Sequence, residues 1–502
     1  MIKPISNLRG AVVVWLISFV FFLVTLTNNF SASHDSIHYL LAIANGEHLF
    51  HQHHLLYHYY AHTWLILFRY IFPAVPDHYL IESFTAVWGS ANLAVCYLFF
   101  RNRFNISNTT AVAGVALIAF SYGTWFYSVN IEVYAPPIFF ILCCLYIITK
   151  KEPVRSDAWK IAILHSMGIL FHQVNILFAV VVLYWLWVNR RRFSFAFAFI
   201  QYALIGVILA GGVYVFCGVF YEHTKTLEEF TGWILGYTSG DYTFWQPLSI
   251  KTPVNAVAGF SRAFIGGHFV FQLPYIEDAV GNSFRSHGLK DEIFLSRNVP
   301  SSLVYVLSAL TAVVVLFLIV MAGRFARSFK KFTLHHHVIK PLLVCIGVYS
   351  VFFLFWMPEI LEFWILQMML VWLLLVGMLP AYRFPSRLAL RTGLILMCIC
   401  VFCVNYFGSI RWLQDPQSDW YFVEVKTLDP TLTESDMVVV ENEWIMKDYV
   451  RYFSKAKVIA TDEPRFNREE ASRIVNEAVG SGHKVFLFKA GSEPSWVLIQ
   501  SY

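Results

Sequence analysis

Charge is what this chain has least of. Only 14% of its 502 residues are Asp, Glu, Lys or Arg, where soluble domains carry about a quarter. Hydrophobic residues make up 58%, with 47 Phe, 26 Tyr and 16 Trp, and mean hydropathy is +0.57. This composition excludes a water-soluble enzyme. The chain reads as an integral membrane protein, with one polytopic bundle using most of its length. A net charge of +5 is too modest to imply a nucleic-acid partner. Cysteine is missing from the polar loops: Cys96, Cys143, Cys144, Cys217, Cys345, Cys398, Cys400 and Cys403 all fall inside apolar runs, without zinc-finger spacing. They read as small buried hydrophobes, so no disulfides staple the exterior portions. No repeat of solenoid length appears, and no Gly-rich phosphate loop follows a strand.

What is present is a series of long apolar runs. At about 20 residues per crossing, spans fall near 11–27, 80–100, 109–127, 134–149, 158–171, 174–189, 195–220, 301–323, 340–357, 362–380 and 389–407. That is about eleven transmembrane helices, with 158–171 and 174–189 short enough to be tilted or half-buried in protein. Lys3 and Arg9 precede the first span, and Arg101 and Arg103 follow the second. Lys150, Lys151 and Arg155 follow the fourth, Arg190, Arg191 and Arg192 the sixth. Arg324, Arg327, Lys330 and Lys331 follow the eighth, and Arg383, Arg387 and Arg391 the tenth. All these clusters land on one side, which the positive-inside rule makes cytoplasmic. The amino terminus is then cytoplasmic and the carboxyl tail exoplasmic. Ser31-Ala32-Ser33 is a passable cleavage site, but the apolar region before it exceeds the ~7–15 residues of a signal core, so the first span reads as an uncleaved anchor.

Three exterior regions remain: 28–79, about 221–300 and 408–502. The middle one has no clear period, and its Trp233, Tyr237, Tyr242, Phe244 and Trp245 fit a loop lying on the membrane surface. In the tail, strands are expected at 436–441, 457–461 and 484–489, with helices at 443–454 and 467–479. That pattern is a small α/β domain with parallel strands. The predicted division is a membrane domain over 1–407 and a soluble exoplasmic domain over 408–502.

The first exterior region carries the densest chemistry. From Asp35, the residues Ile37, Leu40, Leu41 and Ala44 fall on one helical face, and Asn45-Gly46 stops the helix. A second apolar-aromatic helix runs from Tyr57 to Phe72, and both suit the interface plane. Asp35 is either an N-cap or a catalytic carboxylate. Eight of the 18 histidines crowd this region from His34 to His62. His34/His38 and His58/His62 have i,i+4 spacing, with His51, His53 and His54 between them. Such a tract either binds a divalent metal or places neutral rings at the headgroups. Further candidates are Glu132 beside Pro136-Pro137, His172 and Asn175 in FHQVN, and Glu359 and Glu362 in PEILEF. A carboxylate at a membrane edge is costly unless it faces a cavity. On this topology all of them converge with Asp35 on one face.

An acidic residue shortly after the first span, two interfacial helices, many spans and an exterior carboxyl-terminal domain resemble the GT-C glycosyltransferases that use lipid-linked sugars. TWFYSVNIEVYAPP resembles a Trp/EVYA segment of protein O-mannosyltransferase-like membrane proteins, and MGILFHQVNILF their His-containing turn. HHLLYH stands where that branch has a His-Pro-Pro-Gly-like stretch, and here the prolines and glycine are absent. The resemblance covers roughly the first 190 residues. It implies a bacterial inner-membrane enzyme that moves a sugar from a polyprenyl phosphate to a hydroxyl of a protein, lipid or glycan, with inversion. Asp35 would be the general base. His172, Arg262, His268 and Arg297 would stabilise the departing phosphate, and Glu132 would bind sugar, position the acceptor or raise the pKa of Asp35. Three other readings compete: a transporter or flippase with a midplane site, an O-antigen-ligase-type transferase with its chemistry around Arg262–Arg297, and an assembly or scaffold protein using the tail as a docking domain.

Overall fold

The computed structural model describes residues 4–236, 244–276, 290–328, 335–382, 386–441, 443–462, 466–489 and 495–500. Lys3, Tyr237, Tyr242, Lys330, Lys331 and Arg383 lie outside the described residues. All eleven expected apolar segments fall on helices. Among the described residues, seven helices are long and apolar enough to cross a membrane: Ser6–Leu23, Asp77–Arg103, Phe195–Tyr221, Ser301–Ser328, His336–Phe353, Leu361–Ala381 and Leu388–Leu413. The others are shorter or broken. The segment 109–127 is two helices, Asn108–Phe120 and Tyr122–Val129, bent by 66°. Ser121 makes the break: its backbone turns extended, and its Oγ both donates to Leu117 O at 2.8 Å and accepts from Trp372 Nε1 at 2.9 Å. Helix Ala135–Ile148 starts with both prolines in its first turn, where missing N–H groups cost nothing. Helices Ser156–Phe171 and Ala179–Val188 flank the FHQVN turn.

The helix Ser36–Asn45 ends at Gly46, whose φ of 72° is the left-handed cap a glycine takes without strain. Its buried stripe runs through Ile37, Leu40 and Ile43, while Leu41 and Ala44 are only half-buried. The helix Tyr57–Ile71 buries Tyr57, Ala61 and Leu65 and turns Ile66, Leu67 and Tyr70 outward, the pattern of a helix lying in the interface.

The middle exterior region is more regular than its sequence suggests. Helices occupy Leu227–Leu235, Thr252–Phe264 and Lys290–Ser296. Thr226 caps the first by accepting from Glu229 N at 3.1 Å, and Pro253 stands in the opening turn of the second. Short helices with local caps leave too few turns for a period to be read.

The tail forms β1 (Met437–Val440), β2 (Lys457–Ala460), β3 (Val485–Phe488) and β4 (Trp496–Leu498), in spatial order β2-β1-β3-β4. The first three are parallel, and β4, which the sequence reading lacks, is antiparallel to β3. Strand alternation gives the sheet two faces. Val439, Val485 and Leu487 pack with Val475 and Ala478 of helix Arg468–Gly480. Val438, Val440 and Phe488 face the other way, joining Ile445, Met446 and Tyr449 of helix Trp444–Phe453 and then Phe30, Ile37, Leu40 and Leu65. The tail therefore shares one core with the interfacial helices.

Candidate active site

Three carboxylates meet at one end of the bundle. Asp35 precedes helix Ser36–Asn45, but its carboxylate makes no capping hydrogen bond. It accepts instead from Tyr39 Oη at 3.2 Å. Protein packed around the half-buried group pushes its carboxyl up from the ordinary value, against the opposing pull of His34, His38 and the Tyr39 hydroxyl.

Glu132 sits in the turn between Val129 and Ala135. That turn is fastened to the first exterior loop by Thr27 Oγ1 donating to Asn130 Oδ1 at 2.8 Å, and by Ser36 Oγ donating to Ile131 O at 3.0 Å. Glu132 is 1% exposed, and its Oε1 has no hydrogen-bond partner among the described residues. Burial first, then Glu362 and Asp35, hold its carboxyl well above the ordinary range. Glu362 accepts from Tyr134 Oη at 2.5 Å and Tyr127 Oη at 3.1 Å. Both tyrosines lie in the TWFYSVNIEVYAPP stretch, and only tertiary contact pairs them with Glu362.

The remaining sequence candidates divide. His172 lies on this group, its ring 5.2 Å from that of Tyr134, and burial holds it down to about 3. Asn175 is occupied internally: it donates to Gly168 O and His172 O and accepts from Tyr349 Oη at 2.9 Å. Arg262 is ion-paired with Glu292. His268 is buried, contacts Ser409 Oγ at 2.8 Å, and is held down to about 4 by burial. Glu359 accepts from Gln246 Nε2 at 3.0 Å. Arg297 is exposed and stands apart.

A cavity of about 920 Å³ opens beside these groups. Its polar end is lined by His34, Arg262, Glu292 and Glu359. Another wall, apolar apart from Thr311, is made by Thr311, Val315, Leu318, Ile319 and Ala322 of helix Ser301–Ser328. The eleven steps from Thr311 to Ala322 at 1.5 Å each make that wall about 16 Å long. Val315 and Ile319 of that wall are exposed. Asp35, Glu132 and His172 do not line it; His34, the residue before Asp35, does. The mouth is fixed by Asn405, which donates to Phe264 O at 2.8 Å and accepts from Gly266 N at 3.0 Å. A Cβ on Gly266 would stand 2.8 Å from both Ser409 Oγ and the Tyr122 ring.

The solved structure of ArnT from Cupriavidus metallidurans bound to undecaprenyl phosphate matches the chain with a TM-score of 0.54 at 10% identity, over 97% of this chain and 94% of that one. This is the GT-C fold. The apo form of the same ArnT (TM-score 0.42, 14% identity, 96% and 93% covered) and the oligosaccharyltransferase AglB from Archaeoglobus fulgidus, solved with an inhibitory peptide and a dolichol-phosphate (0.45, 12%, 95% and 69%), are more distant matches. No protein-family model and no curated protein matches the chain.

On this frame His51, His53, His54 and His58 pack into one cluster of rings. Ring centroids of His51 and His54 lie 4.2 Å apart, those of His54 and His58 4.8 Å. Tyr39 sits edge-on to His54 and His58, 5.0 Å from each. Burial holds His53 and His58 down to about 4, and holds His51 and His54 well below the ordinary imidazole range. Among the described residues no three His, Cys, Asp or Glu groups converge as metal ligands. The packed rings do not fit a metal cage. The cluster meets Asp35 through Tyr39 and the His172 turn through Gln173 N, which donates to His53 O at 2.7 Å.

Proposed function

We propose that this chain is a membrane glycosyltransferase that moves a sugar from a polyprenyl-phosphate donor to a hydroxyl of a protein, lipid or glycan, with inversion. The observation that carries the reading is a cavity lined by charged side chains and by about 16 Å of one mostly apolar helix face, with His34, the residue before Asp35, in its lining. A polyprenyl phosphate has that form: an apolar chain that stays in the lipid and an anionic head at the surface. The shared fold with an ArnT structure that holds undecaprenyl phosphate supports it. In the reaction, Asp35 takes the acceptor proton as the oxygen attacks the anomeric carbon. The bond to the phosphate breaks on the opposite face. Raising a carboxyl by burial makes its ionised form the stronger base. Glu132, Glu362 and His172 line the acceptor side, and Arg262 with Glu359 the donor side. We place 1–407 in the plasma membrane of a bacterium with its amino terminus in the cytoplasm, and 408–502 outside.

A transporter needs a site near the midplane on broken helices, whereas these carboxylates stand at one end. The ligase-type reading puts the chemistry on Arg262 and Arg297, but Arg262 is paired with Glu292 and Arg297 is outside the cavity lining. The test is transfer from lipid-linked sugar by purified protein in lipid nanodiscs. Asp35→Asn is expected to lower the rate by at least about two orders of magnitude. The same variant should unfold at the parent temperature, since the carboxylate caps nothing. Near-normal transfer by it would remove Asp35 from the reaction.

A further inference from the structure

We propose that His34 is a phosphate-binding residue, its imidazole meeting the lipid phosphate at the polar end of the 920 Å³ cavity. The inference rests on the transferase reading for what the cavity holds, and adds a residue that reading lacks. The cations nominated from sequence leave the phosphate poorly served. Arg262 lines the cavity but is engaged by Glu292. His268 is buried against Ser409, Arg297 is not among the lining residues, and His172 stacks on Tyr134 outside it. His34 does line it, with its side chain 39% exposed and Asp291 Oδ2 3.6 Å from Nε2. His34 is ion-paired with Asp291 at that separation but does not hydrogen-bond to it, so an anionic oxygen entering from the cavity can take a ring N–H.

The backbone at this residue supports the same assignment. His34 has φ 65°, a left-handed conformation that a residue with a side chain seldom adopts. A tight turn holds it there, with His34 N donating to Ser31 O at 2.9 Å and Asp35 N to Ser33 O at 2.8 Å. Strain of this kind persists where the surroundings impose it, and it clusters at active sites. Here its result is a division of labour between adjacent residues: His34 lines the lipid cavity, while Asp35 turns its carboxylate to Tyr39. An inverting displacement needs the base and the departing phosphate on opposite sides of one sugar carbon. Consecutive residues aimed apart meet that need from a single turn. The charged groups around His34 are Asp35 and His38 on its own segment, Asp291 and Glu292 on helix Lys290–Ser296, and Arg262 on helix Thr252–Phe264.

The experiment measures binding of undecaprenyl phosphate, and of undecaprenol as the phosphate-free control, to the full chain in nanodiscs. His34→Asn keeps a residue tolerant of positive φ, and His34→Gly relieves the backbone, so both should fold. Each is expected to weaken undecaprenyl phosphate about tenfold or more, the scale of one charge-assisted hydrogen bond, with undecaprenol binding unchanged. Parent affinity for undecaprenyl phosphate in both variants would overturn the assignment and leave the transferase reading standing. Equal losses for both lipids would also overturn it, by making His34 a shape residue. Failure of the parent protein to bind undecaprenyl phosphate would overturn the transferase reading and the assignment together.

Discussion

Glu132 is a membrane-edge carboxyl buried near two other acids, and its behaviour follows from that placement. The folded protein holds its proton more tightly than the unfolded chain does, because burial, Glu362 and Asp35 all disfavour its ionised form. Its stabilising contribution is therefore complete below the ordinary value of 4.5 and declines as pH rises from there toward its folded value. Glu132→Gln has no proton to lose. Thermal unfolding in detergent between about pH 4.5 and 8 should fall less steeply for the variant than for the parent, with the curves crossing or converging at the acid end. Parallel curves would mean that Glu132 is ionised in the folded protein. The residue was legible in the sequence because a glutamate beside Pro-Pro at a span end is conspicuous. Its partners were not, because Glu362 lies 230 residues further along the chain.

At the scale of elements, the segment bearing Asp35 is held from the far end of the chain. Asp419, fully buried, accepts from Phe30 N at 3.0 Å, Ser31 N at 3.4 Å, Phe422 N at 3.1 Å and the Tyr449 hydroxyl. Asn28 N donates to Leu413 O at 2.8 Å, and His38 Nδ1 lies 3.2 Å from Asp448 Oδ2. The turn before Asp35 is thereby strapped to the tail. Asp419→Ala would leave several buried donors unsatisfied, each costing about 1–3 kcal/mol, so a loss of roughly 3 kcal/mol or more is expected. Hydrogen exchange should quicken over residues 28–40 more than in the membrane helices, with transfer reduced alongside. Unchanged exchange in that segment would show that the tail does not position it. No sequence signal marked Asp419: an aspartate before a short helix is ordinary, and its capping bond to Phe422 N is ordinary too.

At the scale of the molecule, several basic residues in the short connections stack on aromatic rings. Arg103 stacks 3.9 Å over Tyr146, Arg155 3.7 Å over Phe197 and Arg190 4.2 Å over Trp187, each near the end of an apolar helix. An enzyme working on a lipid phosphate outside the cell needs its carboxylate end and tail exoplasmic. A reporter that works only outside the cytoplasm, fused after Tyr502, should be active, and its cytoplasm-only counterpart silent. The reverse result would invert the map and with it the side on which transfer is proposed.

The sequence by itself determined the membrane class, the helical nature of all eleven apolar segments and the parallel strands of the tail, because each is written in local composition and period. Hydrophobic burial in lipid or in a sheet leaves a pattern within a few tens of residues. What only the tertiary structure decided is everything that depends on distant partners. It made Asp35 a carboxylate that caps nothing, packed His51, His54 and His58 against one another, engaged Arg262 with Glu292 and tied the tail to the first loop. It also bent one expected span at Ser121, where a tryptophan from helix Ile365–Gly377 supplies the hydrogen bond. A side chain's charge and reach are properties of the residue, but its solvent, its counter-ion and its neighbours are set by packing between segments that the chain order keeps apart.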